Sequence, residues 1–334
     1  MKIGIIGAGS WGTALAQLLG RQGHNVLIWA RRPDVVSSIN CDHVNPRYFS
    51  DIELSRNVVA TVAYEDCLAN ASAVAVVTPS NLLRGTARAL ARCTPSDIPV
   101  VICSKGIEAK SGFLATQIFE QEMGDADRFA VLSGPNHAEE VISGEYSASV
   151  IASTSSEVAS FLQEVFAAPH FRTYASTDVV GVEVCAAAKN VMAIAVGLSY
   201  GLGMGDNTAA LLMTRGLAEM SRLTNALGGE AITCMGLAGM GDLVVTCTSQ
   251  HSRNRRFGEM IARGGTLKEF QDETHMVVEG ALAAQTILPL AERVGVELPI
   301  AQVVHDVIWE GADPQEAGEA LASRPLNREF YGLE

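Results

Sequence analysis

Apolar residues recur along the first half of the chain in short runs separated by amphipathic segments. The runs are rich in Val, Ile and Ala, which is typical of strands buried on both faces. They fall at residues 2–6, 25–29, 73–78, 100–103, 129–132, 149–152 and 171–174. Helical spacing lies between them, for example at 13–22 and 157–166. This alternation of strand and helix predicts an α/β fold with a doubly wound, mainly parallel sheet.

From about residue 181 the pattern changes to helices alone. Apolar residues at helical spacing predict helices at 181–198, 208–227, 259–263, 277–290, 301–309 and 314–321. Two intervening segments are predicted as loops: 236–246, and 251–258, whose Ser252 is a natural helix cap. The sequence therefore predicts an α/β domain at 1–180 followed by an all-helical domain at 181–334.

The segment 181–198 is unusual because it is small and apolar but carries Lys189 and Asn190 side by side in its middle. Alanine, valine and methionine surround the lysine on nearly every face, so most of this helix should be buried. A buried lysine is costly unless it is paired or functional. The local sequence leaves two interpretations open: the ammonium reaches solvent at a helix edge, or it is held inside for its chemistry.

Composition and charge exclude several classes of protein. The 334 residues suit two domains, and 48% apolar content can build a large core. A net charge of −13 argues against a general nucleic-acid binder. The seven cysteines are scattered without a CxxC pair, which indicates reduced thiols and no metal cluster. We see no secretory signal and no uncharged apolar stretch near the length of a membrane span, so a cytoplasmic protein is expected.

A glycine-rich turn, Gly7-x-Gly9-Ser10-Trp11-Gly12, lies between the first strand and the first helix. Such glycines allow a tight turn, close approach to a pyrophosphate and close packing of helix on strand, while the helix N-terminus offers N–H groups to the anion. An ordinary tight turn is the alternative. The strand, helix and second strand stand where the fingerprint demands, which predicts a Rossmann-type dinucleotide-binding domain.

The second strand ends in Arg31 and Arg32, where an NAD-specific fingerprint would have a carboxylate. No acid occurs until Asp34. Two arginines suit a 2′-phosphate, so NADPH is favoured over NAD. Two solvated arginines at a helix start are the alternative.

Other polar residues follow predicted strands or begin a helix. Lys105 and the turn Ser133-Gly134-Pro135-Asn136-His137 come directly after strands, so both should border one crevice. The segment 251–258 places three arginines and Asn254 at a helix start, which is a potential anion site. Taken alone, that segment is better explained as a solvated basic patch.

Seven motifs together resemble one family. They are GAGSWGTALA at 7–16, SKGIE at 104–108, SGP at 133–135, AAAKN at 186–190, GLAGMGDLVVT at 236–246, SRNRRFG at 252–258 and VVEG at 277–280. Their order and spread resemble the bacterial-type NAD(P)-dependent sn-glycerol-3-phosphate dehydrogenases. The resemblance implies a reversible reaction between dihydroxyacetone phosphate and sn-glycerol 3-phosphate, with NADPH or NAD, for glycerophospholipid synthesis in the cytoplasm. A homodimer is also expected.

The resemblance carries functional residues over by motif. Together with the fingerprint, it places the cofactor against Gly7, Gly9, Ser10, Trp11, Gly12, Arg31, Arg32, Tyr48, Lys105, Ala138, Arg253, Val277 and Glu279. It places the substrate against Lys105, Gly134, Asn136, Lys189, Asn190, Asp242, Ser252, Arg253 and Asn254. Tyr48 is assigned by position only. Asn136-His137 departs from the family pattern, which usually has Ser or Thr and then an aromatic residue, and we interpret His137 as a packing variant.

The residues and the resemblance together suggest a mechanism. Lys189 is predicted to be the general acid and base at C2, with its pKa lowered by burial and by Lys105. Asp242 would orient it. Two other classes remain open. A β-hydroxyacid dehydrogenase would share the helix lysine and asparagine but lack SRNRRFG. A non-enzymatic NAD(P)H-binding redox regulator would need no lysine there and would favour a DNA-binding module, which we do not find.

Overall fold

The computed structural model describes residues 1–274, 277–326, 328–329 and 331–332. The chain divides into two compact units. The first comprises Met1–Ser104 and Ala115–Val179, and the second comprises Lys105–Leu114 and the described residues from Val180 onward. The sequence groups residues 105–114 with the α/β domain, whereas they belong to the second unit. The separate roles of the two parts stay a prediction.

The first unit is built on one sheet, in which the described residues form eight strands in the order β3-β2-β1-β4-β5-β6-β7-β8. The strands are β1 Lys2–Ile6, β2 Asn25–Trp29, β3 Val58–Thr61, β4 Ala73–Val76, β5 Val100–Ile102, β6 Phe129–Ser133, β7 Ser147–Ala152 and β8 Phe171–Ser176. Adjacent strands run parallel except β6 and β7, which are antiparallel. The doubly wound, mainly parallel sheet is confirmed.

Helices connect these strands, as right-handed crossovers between parallel strands require. They are α1 Ser10–Arg21, α2 Pro33–Asp42, α3 Tyr64–Leu68, α4 Leu83–Leu90, α5 Ala115–Met123, α6 Ala138–Ser143 and α7 Ser156–Phe166. The apolar runs are continuous because the central strands are covered on both faces: all four residues of β4 are buried. The sequence missed β3, whose four residues alternate between buried and more exposed positions and form too short a run to stand out.

The second unit is helical. Its helices are α8 Val179–Gly201, α9 Asp206–Ala226, α10 Asp242–Thr248, α11 Arg253–Ile261, α12 Leu267–Thr274, α13 Glu279–Arg293, α14 Pro299–His305 and α15 Pro314–Ala322. Of the helices in the described residues, α8 alone is long and apolar enough to cross a membrane. Yet 94% of its most apolar window is buried inside the protein, so α8 is the core helix of this unit.

The loop predicted at 236–246 is wrong. Leu237–Gly241 forms a π-helical turn that leads directly into α10. Gly239 in this segment serves close packing, since a Cβ there would lie 2.1 Å from the carbonyl oxygen of Cys234. The segment 251–258 instead contains the start of α11, and Ser252 caps it by accepting a hydrogen bond from the Arg255 N–H at 3.3 Å.

Candidate active site

The glycine-rich turn of the first unit has the geometry of a pyrophosphate cradle. Gly7 has a φ of +123°, and a Cβ there would lie 2.7 Å from the Val77 carbonyl oxygen. A Cβ on Gly12 would lie 1.9 Å from the Gly7 carbonyl oxygen, so glycine lets α1 start directly against the turn. A Cβ on Gly9 would meet no described atom within 4 Å. That open side, in front of the first N–H groups of α1 at Ser10 and Trp11, fits a bound pyrophosphate.

Asn45 braces this turn. It is fully buried, and its Nδ2 donates to the Ala8 carbonyl oxygen at 3.1 Å and to Thr13 Oγ1 at 2.8 Å. The sequence did not single out Asn45, because nothing local distinguishes one loop asparagine from another. Its role is visible only once the chain after α2 has folded back onto the turn.

Arg31 and Arg32 follow the end of β2, and both are exposed. Arg32 Nε lies 3.2 Å from Asp34 Oδ1, and Arg47 Nε lies 3.9 Å from Asp34 Oδ2. Tyr48, beside Arg47, is 49% exposed. The end of β2 also contacts the glycine-rich turn, because the Gly7 N–H donates to the Trp29 carbonyl oxygen at 3.2 Å. The arginines therefore lie at the same edge of the sheet as the glycine-rich turn.

The turn after β6 is tightly packed. A Cβ on Gly134 would lie 2.6 Å from the Ala148 carbonyl oxygen, so this position requires glycine. Asn136 Nδ2 donates to Ser149 Oγ at 2.5 Å, while its buried Oδ1 accepts no hydrogen bond from the described residues. Ala138, the first residue of α6, is buried. This turn follows a parallel strand at its carboxyl end, where α/β sheets bind ligands.

In the second unit, two lysines share one buried carboxylate. Lys189 Nζ lies 3.0 Å from Asp242 Oδ1, and Lys105 Nζ lies 2.5 Å from Asp242 Oδ2. The side chains of Lys189 and Asp242 are 8% and 3% exposed, against 22% for Lys105. Lys189 is therefore held inside, which removes the interpretation that its ammonium reaches solvent at a helix edge.

Burial and the neighbouring charges shift the pKa values of Lys189 and Asp242 in this group. Burial, which is the largest cause, and the nearby Lys105 together lower the pKa of Lys189 to about 8, although Asp242 opposes both. Burial alone would raise the pKa of Asp242, but the ammonium groups of Lys105 and Lys189 outweigh it and hold that pKa below its ordinary value. The result is an ionised carboxylate beside an amine that titrates near physiological pH.

Thr246 completes the surroundings of the lysine. Lys189 Nζ donates to Thr246 Oγ1 at 2.7 Å, and that hydroxyl donates in turn to the Asp242 carbonyl oxygen at 2.6 Å. The sequence did not name Thr246. Its spacing of four from Asp242 was the available signal, since residues four apart share one face of a helix.

A chain of amide hydrogen bonds links three helices near Lys189. Asn254 Nδ2, on α11, donates to Asn190 Oδ1 at 2.9 Å, and the Gly280 N–H donates to Asn254 Oδ1 at 3.0 Å. A Cβ on Gly280 would lie 2.5 Å from the Asn190 carbonyl oxygen. The side chain of Asn254 is thus engaged on both sides, which leaves its backbone N–H, in the first turn of α11, for an anion.

The start of α11 presents positive charge. Arg253 is exposed, and its Nη1 lies 3.5 Å from the carbonyl oxygen of Val277, two residues before Glu279. Arg255 is occupied differently: its Nε donates to Glu259 Oε1 at 2.8 Å and its guanidinium lies 4.7 Å from the centre of the Tyr200 ring. Arg253 is therefore the arginine better placed to meet a ligand, beside the free N–H groups of a helix N-terminus.

Two family models cover most of the chain. The model described as the N-terminus of NAD-dependent glycerol-3-phosphate dehydrogenase matches residues 2–159, and that of the C-terminus matches residues 178–319. The chain belongs to the NAD-dependent glycerol-3-phosphate dehydrogenase family. The resemblance drawn from the seven sequence motifs is thereby confirmed.

Known members of the family match along nearly the whole length. A protein of Chlorobium phaeobacteroides named glycerol-3-phosphate dehydrogenase (NAD(P)+) is 42% identical over 99% of this chain and 100% of its own. One of Nitratidesulfovibrio vulgaris with the same name is 44% identical over 98% of this chain and 100% of its own. The crystal structure of glycerol-3-phosphate dehydrogenase from Coxiella burnetii is 36% identical, covers 97% of this chain and 99% of its own, and superposes with a TM-score of 0.92.

Proposed function

We propose that this protein catalyses reversible hydride transfer between NAD(P)H and dihydroxyacetone phosphate, giving sn-glycerol 3-phosphate, with Lys189 as the general acid and base. Family membership supports the reaction. The observation that supports the role of Lys189 is its burial, which lowers its pKa to about 8, while Asp242 and Thr246 hold the amine in place. An amine tuned to that range can both accept and return a proton near neutral pH.

Hydride exchange with C2 of the substrate is the chemistry that a nicotinamide coenzyme would supply when bound at the glycine-rich turn. In oxidation, the neutral amine of Lys189 takes the proton of the C2 hydroxyl as the carbonyl forms. In reduction, the ammonium returns that proton to the developing alkoxide. Among the described contacts, Asp242 and Thr246 take two of its three N–H donors, which leaves one for the substrate oxygen.

Phosphate recognition is proposed at the start of α11. Arg253 supplies an exposed guanidinium, and the backbone N–H groups of the first turn add the partial positive charge of the helix N-terminus. Asn190 and Asn254 join this helix to α8 beside Lys189. A carboxylate substrate without phosphate has less need of this basic segment, which disfavours a β-hydroxyacid dehydrogenase.

The test of the function is an assay of NADPH oxidation with dihydroxyacetone phosphate, beside pyruvate, 2-oxobutyrate and tartronate semialdehyde. We expect turnover with dihydroxyacetone phosphate, and with each of the three oxoacids less than a hundredth of that turnover. Turnover of an oxoacid instead would assign the protein to the hydroxyacid class. Binding of NADPH without turnover of any carbonyl compound would favour a regulator.

The choice of coenzyme is a further part of the proposal, supported by Arg31 and Arg32 at the end of β2. We expect Arg31→Ala combined with Arg32→Ala to raise the KM for NADPH at least tenfold and the KM for NADH less than threefold, because only NADPH carries the 2′-phosphate. Steady-state kinetics with each coenzyme measure this. An equal rise for both coenzymes would remove the 2′-phosphate argument.

The use of the product in glycerophospholipid synthesis, the cytoplasmic location and the homodimer stay predictions from the family resemblance. The association state is tested directly by light scattering on the eluting peak of a gel-filtration column. A mass of two chains is expected, and a mass of one chain would contradict the homodimer.

A further inference from the structure

The segment after α2 carries an arginine that the sequence did not assign to the coenzyme. Asn45 uses both N–H groups of its amide on the glycine-rich turn, at Ala8 and Thr13, while its Oδ1 accepts a hydrogen bond from the Arg47 N–H at 3.2 Å. Phe49, two residues after Arg47, is 5% exposed and anchors the segment in the core. The backbone of Arg47 is therefore fixed to the turn that cradles the pyrophosphate.

The side chain of Arg47 points to the same carboxylate as Arg32. Arg32 and Arg47 approach the two oxygens of Asp34 at 3.2 and 3.9 Å, although fifteen positions separate the two arginines in the sequence. The three side chains are between 46% and 58% exposed. Since exposed ion pairs of this kind stabilise a fold very little, stability gives no sufficient reason for the arrangement.

The geometry suits a small oxyanion with more charge than a carboxylate. Arg32 lies just beyond β2, the strand after which dinucleotide folds read the ribose 2′ position. Two guanidinium groups on separate segments converge there on one acceptor. A phosphate monoester has three oxygens and up to two negative charges, and it binds guanidinium groups more strongly than a carboxylate does.

We propose that Arg47 determines coenzyme specificity: with Arg32 it forms a two-arginine clamp for the 2′-phosphate of NADPH, and Asp34 occupies the clamp when that phosphate is absent. The clamp rests on the proposed use of NAD(P)H. Asp34 is 58% exposed, so its carboxylate can return to water when the phosphate replaces it. NADH, with a hydroxyl at the same place, leaves Asp34 paired with the arginines.

The experiment compares Arg47→Ala with Arg56→Ala in the full chain. Arg56 is a matched control, because it is an exposed arginine of the same unit whose Nη2 lies 3.3 Å from Glu53 Oε1. Dissociation constants for NADPH and NADH are measured by quenching of tryptophan fluorescence, with thermal melts to confirm folding. We expect Arg47→Ala to raise the dissociation constant for NADPH about tenfold or more and that for NADH less than twofold. This is the effect expected for loss of one charge-assisted hydrogen-bonding group. Arg56→Ala should leave both dissociation constants within twofold of the wild-type values.

A second variant, Asp34→Asn, tests the carboxylate. Removing its charge should tighten the binding of NADPH about threefold or more and leave the binding of NADH unchanged, because the phosphate no longer has to displace an anion. The proposal of the clamp is overturned if Arg47→Ala weakens the binding of both coenzymes equally, or if it behaves like Arg56→Ala. It is also overturned if Asp34→Asn weakens the binding of NADPH. Wild-type protein that binds NADH but not NADPH overturns it as well. Binding of both coenzymes without turnover of dihydroxyacetone phosphate would refute the proposed function and leave the clamp intact.

Discussion

At Lys189, burial and charge act in opposite directions on the same ammonium. Removal from water and the neighbouring Lys105 favour the neutral amine, whereas Asp242 favours the cation. Burial prevails, and the pKa falls from 10.5 to about 8. A lysine paired with a buried aspartate and no second lysine would titrate higher. Lys105 therefore contributes to the lowered pKa of Lys189.

Substitution of Lys189 by methionine tests its assigned role, because methionine keeps the length and fits the apolar helix. We expect Lys189→Met to remain folded, to bind NADPH with nearly unchanged affinity and to lose turnover by about three orders of magnitude or more, as for removal of a general acid and base. Lys268→Met is the control, since Lys268 is an exposed lysine of the same unit. A loss of less than tenfold in Lys189→Met would assign proton transfer to another group.

The pH dependence follows from the same pKa. In the proposed mechanism reduction uses the ammonium of Lys189, so kcat/KM for dihydroxyacetone phosphate should fall as pH rises through about 8, the pKa of Lys189. Oxidation requires the neutral amine, so kcat/KM for glycerol 3-phosphate should fall as pH drops through the same value. Profiles measured in both directions check this. Two profiles with the same sign of slope near pH 8 would contradict the assignment.

The sequence identified the charged residues of this group better than the neutral ones. Lys189 stood out because a charge in an apolar helix is costly, and Asp242 because a motif of the family contains it. Thr246 and Asn45 carry no charge and occur in ordinary local contexts. Their importance arises from tertiary contacts, which no short stretch of sequence records.

At the scale of elements, glycines set how closely α8 and α11 approach. A Cβ on Gly258 would lie 2.3 Å from the Ile194 carbonyl oxygen, and one on Gly197 would lie 2.1 Å from the Arg255 carbonyl oxygen. The two helices therefore pack backbone to backbone. This contact keeps Asn190 and Asn254 within hydrogen-bonding distance.

Gly258→Ala should force the two helices apart. We expect a loss of about 1–3 kcal/mol in the free energy of unfolding, typical of overpacking, and a raised KM for the phosphorylated substrate. Gly318→Ala is the matched control in α15, because its Cβ would meet no described atom within 4 Å. That control should be neutral or stabilising by up to about 1 kcal/mol, from helix propensity. Chemical denaturation compares the two, and equal effects would show that the close approach is unimportant.

Elements with strong periodicity were predictable, and irregular ones were not. The strands at 2–6 and 25–29 match β1 and β2, because β-branched residues there sit between clear turn signals. The segment 236–246 reads as a loop because of its glycines, yet it forms a π-helical turn and the start of α10. Glycine signals flexibility in sequence, but it equally serves close packing, and only the neighbours decide between the two.

At the scale of the whole molecule, the order of apolar patterns predicted the fold class because each class buries its apolar surface differently. Continuous short runs need cover on both faces of a sheet, and helical spacing needs other helices. The placement of Lys105–Leu114 in the second unit was not predictable in this way. Its buried Ile107 and Leu114 belong to the core around α8, although the preceding strand belongs to the sheet.

Two lysines that share one carboxylate leave the Lys105–Asp242–Lys189 group with a net positive charge when both are protonated. A dianionic phosphate ester bound beside it should raise the pKa of Lys189, so binding near pH 8 should take up protons. Calorimetry of glycerol 3-phosphate binding to the NADH complex, in buffers of different ionisation enthalpy, measures this uptake. The apparent binding enthalpy should vary with the buffer in wild-type protein and not in Lys189→Met. In the proposed mechanism dihydroxyacetone phosphate, which carries the same phosphate group, would on binding draw from solution the proton that its own reduction consumes.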